Sequence, residues 1–236
     1  MKTIIHKAAS RGHMDHGWLK TWHTFSFAEY RDPERIRFGA LRVLNDDIVA
    51  QGQGFGRHPH DNMEIITIPL HGALEHQDSM GNSSVIRAGE VQLMSAGTGI
   101  FHSEFNHSRE EEVRLLQIWV FPNEKNVKPR YAQEEFTIAD RKNRWQRIVS
   151  PKGEGEMWIH QNAFFQLIQL GKDRSAGYDI NLKGNGIYLF VIEGKAETEG
   201  ISLSRRDGLG IWETPSIQIK ANEDSHLLLM EVPMEI

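Results

Sequence analysis

Two short segments decide the fold of this chain: Gly54-Phe-Gly-Arg-His-Pro-His60 and Ser95-Ala-Gly-Thr-Gly-Ile-Phe-His-Ser-Glu104. The first ends in His58-Pro-His60 and the second in His102-Ser-Glu104, so each places two potential metal ligands two residues apart. Residues i and i+2 of a β-strand point to the same face, and each pair can therefore aim both side chains at one spot. We predict that the two segments are neighbouring strands whose three imidazoles and one carboxylate surround a single metal ion.

Pro59 favours an edge strand or a bulge, because it has no backbone N–H to donate to a neighbouring strand. Such positions are common at the rim of a barrel, beside a site. Either pair alone is weak support for a metal, since the chain has 12 histidines. The two pairs together, separated by sequence rich in turn glycines, favour a metal site over solvated side chains.

The spacing of these residues resembles the cupin motifs. Gly52-x5-His58-x-His60-x3-Glu64 followed by Gly72 is similar to the first motif, with one extra residue before the last glycine. Gly89 to His102 is similar to the second, with Gly97 where cupins usually have proline. The ending His-x-Glu is typical of the pirin family, as are Asp15-His-Gly-Trp-Leu19, Trp22-His-Thr-Phe-Ser-Phe27, Leu41-Arg-Val-Leu-Asn-Asp46 and Glu75-His-Gln-Asp-Ser-Met-Gly-Asn82. The resemblance covers most of residues 10 to 135 and is greatest to the bacterial pirin-like quercetinases.

This resemblance implies an all-β bicupin of two jelly-roll β-barrels in tandem. It implies His58, His60, His102 and Glu104 as ligands of one divalent transition metal ion, with iron placed first and nickel, cobalt, copper, manganese or zinc as alternatives. The implied reaction is the O₂-dependent, CO-releasing opening of the heterocyclic ring of a flavonol such as quercetin. Glu104 is then the candidate acceptor of the flavonol hydroxyl proton. The implied partners are a flat aromatic substrate and O₂.

Several residues near the ligands have open roles. General cupins use the glutamate of the first motif as a ligand, but we expect Glu64 to orient a histidine instead, with a surface salt bridge as the alternative. Phe55, Phe101 and Phe105 are candidates for pocket walls or for barrel core. Gln117 and Trp119 share one strand face and carry the same alternatives. His13 and His16 form a spaced pair in a polar loop, which we interpret as structural or solvated.

The second part of the chain resembles the first. Phe190–Glu197 echoes Ile68–Glu75, and Arg206–Trp212 echoes Ala88–Met94, at similar offsets. We therefore predict a duplicated barrel, with an N-terminal metal-binding domain at 1–135 and a degenerate C-terminal domain at 136–236. The copy has no His-x-His near Ile180–Leu182, so we expect no metal there.

Composition excludes several classes of protein. The net charge of −5 argues against a nucleic-acid partner, which needs a Lys/Arg-rich face. No apolar run approaches the ~18 residues of a membrane span, and the start of the chain lacks the apolar stretch of a signal peptide. The absence of cysteine excludes disulfides and thiol catalysis. We expect a cytoplasmic monomer.

Two other functions fit the same sequence. One is a metal-binding regulatory or redox-sensing module that acts through a protein partner, and the other is a different cupin reaction such as an isomerisation. Turnover of quercetin separates the dioxygenase from both.

Overall fold

The computed structural model describes residues 1–153 and 155–235, which form 22 strands and two short 3₁₀ helices, Ala8–Ser10 and Ile138–Arg141. The strands up to residue 135 are β1 (Lys2–His6), β2 (Gly12–Asp15), β3 (Leu19–His23), β4 (Leu41–Val49), β5 (Gly54–His60), β6 (Glu64–His71), β7 (Ala73–Asp78), β8 (Ser83–Arg87), β9 (Glu90–Ser95), β10 (Ile100–Asn106), β11 (Val113–Val120) and β12 (Arg130–Glu135). The later strands are β13 (Gln146–Ser150), β14 (Met157–Trp158), β15 (Phe164–Leu170), β16 (Ser175–Asp179), β17 (Asn185–Glu193), β18 (Lys195–Thr198), β19 (Ile201–Ser204), β20 (Gly208–Trp212), β21 (Ser216–Ala221) and β22 (Ser225–Pro233). None of the helices within these two ranges is long and apolar enough to cross a membrane.

The strands form two barrels, each made of a larger and a smaller sheet. The first barrel has a seven-stranded sheet in the order β12-β9-β6-β11-β4-β3-β2 and a four-stranded sheet in the order β5-β10-β7-β8. The second has a seven-stranded sheet in the order β1-β20-β17-β22-β15-β13-β14 and a four-stranded sheet in the order β16-β21-β18-β19. The predicted all-β fold of two barrels in tandem is confirmed.

Equivalent turns in the two barrels support the predicted duplication. β6 turns into β7 at Gly72, and β17 turns into β18 at Gly194, at an offset of 194 − 72 = 122 residues. Both glycines have positive φ, 73° and 88°. A Cβ atom on Gly194 would lie 2.3 Å from the carbonyl oxygen of Asp224. Glycine is therefore needed at this turn for two reasons, its backbone conformation and the close approach of another main chain.

The first strand of the chain belongs to the second barrel. β1 pairs antiparallel with β20, with Lys2 opposite Trp212, and so extends the larger sheet of the second barrel. The buried ring of His6 places its Nδ1 2.8 Å from the hydroxyl of Tyr188 in that barrel. A division of the chain at residue 135 does not describe this strand, and for the remaining chain the division stays a prediction.

The largest apolar core lies between the two seven-stranded sheets. Its members come from both barrels and include Leu44, Ile66, Ile68, Leu116, Ile118, Phe165, Leu167, Phe190, Leu228 and Met230. A second core, which includes Leu189 and Leu229, fills the interior of the second barrel. The interior of the first barrel instead contains fully buried polar side chains, among them Thr67, His76 and Gln92. Because buried polar groups need partners, this interior is where a polar site can be built.

Candidate metal centre

The pairing of β5 with β10 brings three predicted ligands together. His58 lies opposite His102 and His60 lies opposite Ile100. The ring centroid of His58 is 4.4 Å from that of His102 and 4.9 Å from that of His60, and His60 is 4.9 Å from His102. One ligand nitrogen from each ring lies within 4.8 Å of the others. The three imidazoles therefore converge on one point, as the strand parity predicts.

Pro59 occupies a position that tolerates the loss of its N–H. It lies on β5, an edge strand of the four-stranded sheet, opposite Phe101 of β10. An edge strand leaves one row of backbone groups without a partner, and a proline there interrupts no sheet on that side. The prediction of an edge position is confirmed.

A register shift in β5 orients His58. Between the pairs His102–His58 and Glu104–Phe55, β10 advances two residues while β5 advances three, which is a β-bulge. Within it, the carbonyl oxygen of Gly56 lies 2.7 Å from Nδ1 of His58. A proton on Nδ1 donates to this carbonyl and leaves the lone pair of Nε2 free for a metal.

Glu104 lies behind His102, inside the barrel. Its side chain is 3% exposed, and its Oε2 accepts a hydrogen bond of 3.1 Å from Nε2 of Gln117. Within the described parts of the chain its Oε1 has no hydrogen-bond partner. Glu104 groups with His102 and His76, whose ligand atoms lie within 4.8 Å of one another, rather than with His58 and His60. The structure therefore places Glu104 next to the three-histidine cluster through their shared member, His102.

His76 is the site residue that the sequence analysis misses. It is fully buried on β7, directly opposite Glu104 on β10. Its Nε2 is 3.1 Å from Oδ2 of Asp78, and its Nδ1 is 3.3 Å from Nε2 of Gln92. The spacing of His76 and Asp78 on one strand face repeats the two-residue pattern of the ligand pairs. This spacing is visible in the sequence, but the position of His76 opposite Glu104 is not.

Burial sets the protonation states of the cluster. Burial, followed by the charge of neighbouring histidines, lowers the pKa of His60 to about 4 and that of His102 to about 2. Burial raises the pKa of Glu104 to about 7, against the hydrogen bond from Gln117. Both imidazoles are thus neutral at pH 7, which is the form that binds a metal.

Glu64 lies away from the cluster. The chain leaves β5 through Asn62, which has a φ of +44°, and Glu64 begins β6 in the other sheet. Its buried Oε2 accepts hydrogen bonds from Oγ of Ser95 at 2.8 Å and from the backbone N–H of His160 at 3.3 Å. Neither partner is a site histidine, so the expectation that Glu64 orients one of them is wrong, as is the alternative of a surface salt bridge.

The aromatic residues divide between the two faces of the sheet. Phe101 and Phe105 are 47% and 38% exposed on the outer face of β10, so neither forms a pocket wall or core. Phe55 packs at 5.2 Å against Trp18. Trp119 does lie at the site, with its ring 4.9 Å from that of His60. The predicted structural role of His13 agrees with its stacking on Trp22 at 4.6 Å.

The three-histidine cluster and the adjacent Glu104 fit a transition metal. Besides the free oxygen of Glu104, the buried Nε2 of His102 has no hydrogen-bond partner in residues 1–153 and 155–235. Imidazole nitrogens with a carboxylate suit transition metals rather than Ca²⁺ or Mg²⁺, which take oxygen ligands. A divalent ion beside these atoms would give both of them a partner.

Comparison with known proteins agrees with this architecture. Residues 5–120 match the Pirin family model, and residues 147–232 match the model of the quercetinase C-terminal cupin domain. A quercetin 2,3-dioxygenase of Escherichia coli strain K12 is 46% identical over 230 residues, which cover 97% of this chain and 98% of that protein. The chain belongs to the pirin family. A pirin-like protein of Caulobacter vibrioides is 40% identical to this pirin over 222 residues, covering 93% and 95% of the two chains.

Solved structures show the same fold. The bacterial pirin YhhW of Escherichia coli in complex with nickel(II) is 44% identical, with a TM-score of 0.93, and the match covers 98% of this chain and 99% of that one. Oxalate decarboxylase of Bacillus subtilis is 9% identical with a TM-score of 0.65, covering 98% and 76% of the two chains, and shares the fold alone. The resemblance to pirins and to bicupins is confirmed.

Proposed function

We propose that this pirin is a metal-dependent dioxygenase that opens the heterocyclic ring of a flavonol such as quercetin with O₂ and releases carbon monoxide. The observation that carries the proposal is the convergence of His58, His60 and His102 beside a buried carboxylate with a free oxygen. The relatives named quercetin 2,3-dioxygenase support the substrate class, and the nickel(II) complex of a related pirin supports a divalent metal.

The three imidazoles and Glu104 would hold the ion. His58 is fixed for this task by the bond from its Nδ1 to the Gly56 carbonyl, and His60 is held against the ring of Trp119. Such restraint of the ligands raises metal affinity, because little freedom is lost on binding. A bound divalent ion would act as a Lewis acid toward the deprotonated 3-hydroxyl of the flavonol and would bring it together with O₂.

Glu104 would accept the proton of that hydroxyl. Its Oε2 accepts the hydrogen bond from Gln117, so Oε1 is the atom that would take the proton, either as a ligand that loosens from the ion or as a neighbour of the bound substrate oxygen. The surrounding barrel excludes water, since Glu104 is 3% exposed. A proton delivered to Oε1 therefore stays close to the substrate oxygen, as general acid–base catalysis requires.

The planar ring system of the substrate would lie against Trp119. This residue makes edge-to-face contacts with His60 and with Phe27, at 4.9 Å and 5.2 Å between ring centroids. Aromatic pairs prefer such edge and offset contacts. The pocket wall would thus come from β11 and from the segment after β3 rather than from Phe101.

Turnover of quercetin by the metal-loaded protein tests the proposal. We expect loss of the near-UV/visible absorbance of quercetin with matching O₂ uptake and CO release. Glu104→Gln should lower kcat by about 10²–10⁴-fold, the usual contribution of a general base. His102→Ala should lose both metal and turnover, whereas His71→Ala, at an exposed histidine on the same barrel, should keep both.

Two results would overturn the assignment. One is turnover that Glu104→Gln and His102→Ala leave untouched. The other is a protein that binds metal through His102 but neither consumes O₂ nor changes quercetin, which would favour the regulatory module. Elemental analysis of the purified protein identifies the ion in the same preparation.

A further inference from the structure

A cavity of about 260 Å³ lies between the two barrels, away from the histidine cluster. Its apolar wall comes from both seven-stranded sheets, with Ile68 and Val91 on one side and Leu167 and Ile192 on the other. The cavity is smaller than the ~300–1,000 Å³ of sites for drug-sized ligands. It has the size and the lining for a small molecule with an apolar body.

One wall of this cavity carries a buried positive charge. Arg141 is 5% exposed and ends the 3₁₀ helix Ile138–Arg141, which lies in the segment between β12 and β13. Its guanidinium makes no hydrogen bond or ion pair with any residue in 1–153 or 155–235, and its Nε is buried without a partner. Burial alone lowers its pKa from the ordinary value, with no acidic residue acting in the opposite direction.

The two acidic residues that line the cavity bind other groups. Glu90 accepts hydrogen bonds from the backbone N–H of Arg87 at 2.6 Å and from Gln133 at 3.1 Å. Glu193 accepts a 2.7 Å hydrogen bond from Nε of Arg205. Within the described residues neither carboxylate forms an ion pair with Arg141, and neither raises its pKa.

A second unpartnered polar atom lies in the same wall. Nε2 of His226, on β22, is buried and has no hydrogen-bond partner in the described chain. Burial and the nearby charge of Arg141 lower the pKa of His226 to about 4, so the ring is neutral at pH 7 and can donate one hydrogen bond. A cation and a neutral donor together form a site for an anion.

Physical chemistry limits what can occupy this cavity. A buried charge is costly unless it is paired and hydrogen-bonded, and a planar guanidinium matches a carboxylate with two parallel bonds. Apolar walls in turn favour a hydrocarbon body over a fully hydrated anion such as phosphate. We propose that the inter-barrel cavity binds a small organic carboxylate, whose acid group pairs with Arg141 and His226 and whose apolar body fills the space between the sheets.

Calorimetric titration with sodium hexanoate tests this site in the intact protein. We expect hexanoate to bind about tenfold or more tightly than the uncharged hexanamide, because a charged hydrogen-bonded pair is lost in the amide. Arg141→Met keeps the length of the side chain and should reduce hexanoate affinity to the level of the amide. Arg144→Met, at an exposed arginine of the same segment, should leave affinity unchanged.

Two further variants locate the binding. His102→Ala should keep hexanoate binding, because the cavity is separate from the candidate metal centre. Arg141→Lys should bind with intermediate affinity, and this variant serves if the methionine variant fails to fold. Three results would each overturn the proposal: no hexanoate binding by the wild type, Arg141 variants that bind hexanoate as tightly as the wild type, or loss of binding in His102→Ala.

Discussion

Replacing Glu64 with Gln tests whether this carboxylate has a structural role or binds metal. Glu64 is 1% exposed, and its partners within residues 1–153 and 155–235, the hydroxyl of Ser95 and the backbone N–H of His160, both donate to Oε2. Burial raises its pKa to about 7, more than these hydrogen bonds and the charge of Arg130 lower it. Glu64→Gln keeps the shape and an acceptor oxygen but cannot ionise.

The raised pKa gives the sign and the size of the effect. The folded protein holds the proton of Glu64 up to about pH 7, whereas the ordinary pKa of a glutamate is 4.5. The folded state therefore binds more protons between these pH values, and the stability contributed by Glu64 is complete below pH 4.5 and is lost as the pH rises through 7. At 1.36 kcal/mol per pH unit, the difference 7 − 4.5 corresponds to at most about 3 kcal/mol.

Urea unfolding of wild type and Glu64→Gln between pH 4.5 and 8 measures this effect. We expect the difference in free energy of unfolding, wild type minus variant, to fall by up to about 3 kcal/mol across that range. The same difference for Glu134→Gln, at an exposed glutamate of β12, should stay flat. The variant should also bind as much metal as the wild type. A flat difference for Glu64→Gln, or a loss of metal, would refute the structural role.

Two other substitutions have defined outcomes. Gln117→Leu removes the hydrogen bond to Glu104 and the acceptor of the Thr67 hydroxyl. It should lower kcat or metal affinity by about 10–100-fold. Unchanged kcat and unchanged metal affinity would show that Gln117 does not position Glu104. Gly194→Ala should cost about 1–3 kcal/mol more in urea unfolding than Gly184→Ala, because both have positive φ but only Gly194 faces a carbonyl oxygen at 2.3 Å; equal losses would show that the contact is relieved.

The alternation of side chains along a strand predicts those features of the site that depend on the strand alone. The two-residue spacing within the pairs His58/His60 and His102/Glu104 fixes which strand face each pair occupies. The structure brings the three histidine rings together. Glu64 follows at the same even spacing, but it lies elsewhere because Asn62, with its positive φ, comes after the end of β5 and sends the chain to another sheet. A turn of this kind depends on one backbone angle, which the alternation of side chains does not contain.

Contacts between distant segments could not be predicted from spacing. The partner of β1 is β20, some two hundred residues later, and no periodicity within residues 2–6 indicates it. The role of His76 depends on its position opposite Glu104, which is set by the register of β7 against β10. Phe101 and Phe105 were considered for the pocket from nearness in sequence alone, although their odd positions place them on the face opposite to His102.

One row of residues distinguishes the interiors of the two barrels. Thr67 pairs with both Gln92 and Gln117 across three adjacent strands, and the equivalent row of the second barrel is Leu189, Leu209 and Leu229. The polar row contacts the site, since Gln117 donates to Glu104, Gln92 contacts His76 and Thr67 donates to Gln117.

The leucine row belongs to the apolar core that fills the second barrel. A carboxylate buried among those leucines would have no donor to stabilise its charge, at a cost of several kcal/mol. An ionisable site at this row would therefore need hydrogen-bond donors as well as ligands. The row itself is leucine in the second barrel, whose buried carboxylate, Glu231, lies opposite Ile187 and accepts hydrogen bonds from Tyr178, Asn181 and Asn185. In each barrel a buried carboxylate is thus held by its own donors, as Gln117 holds Glu104 in the first.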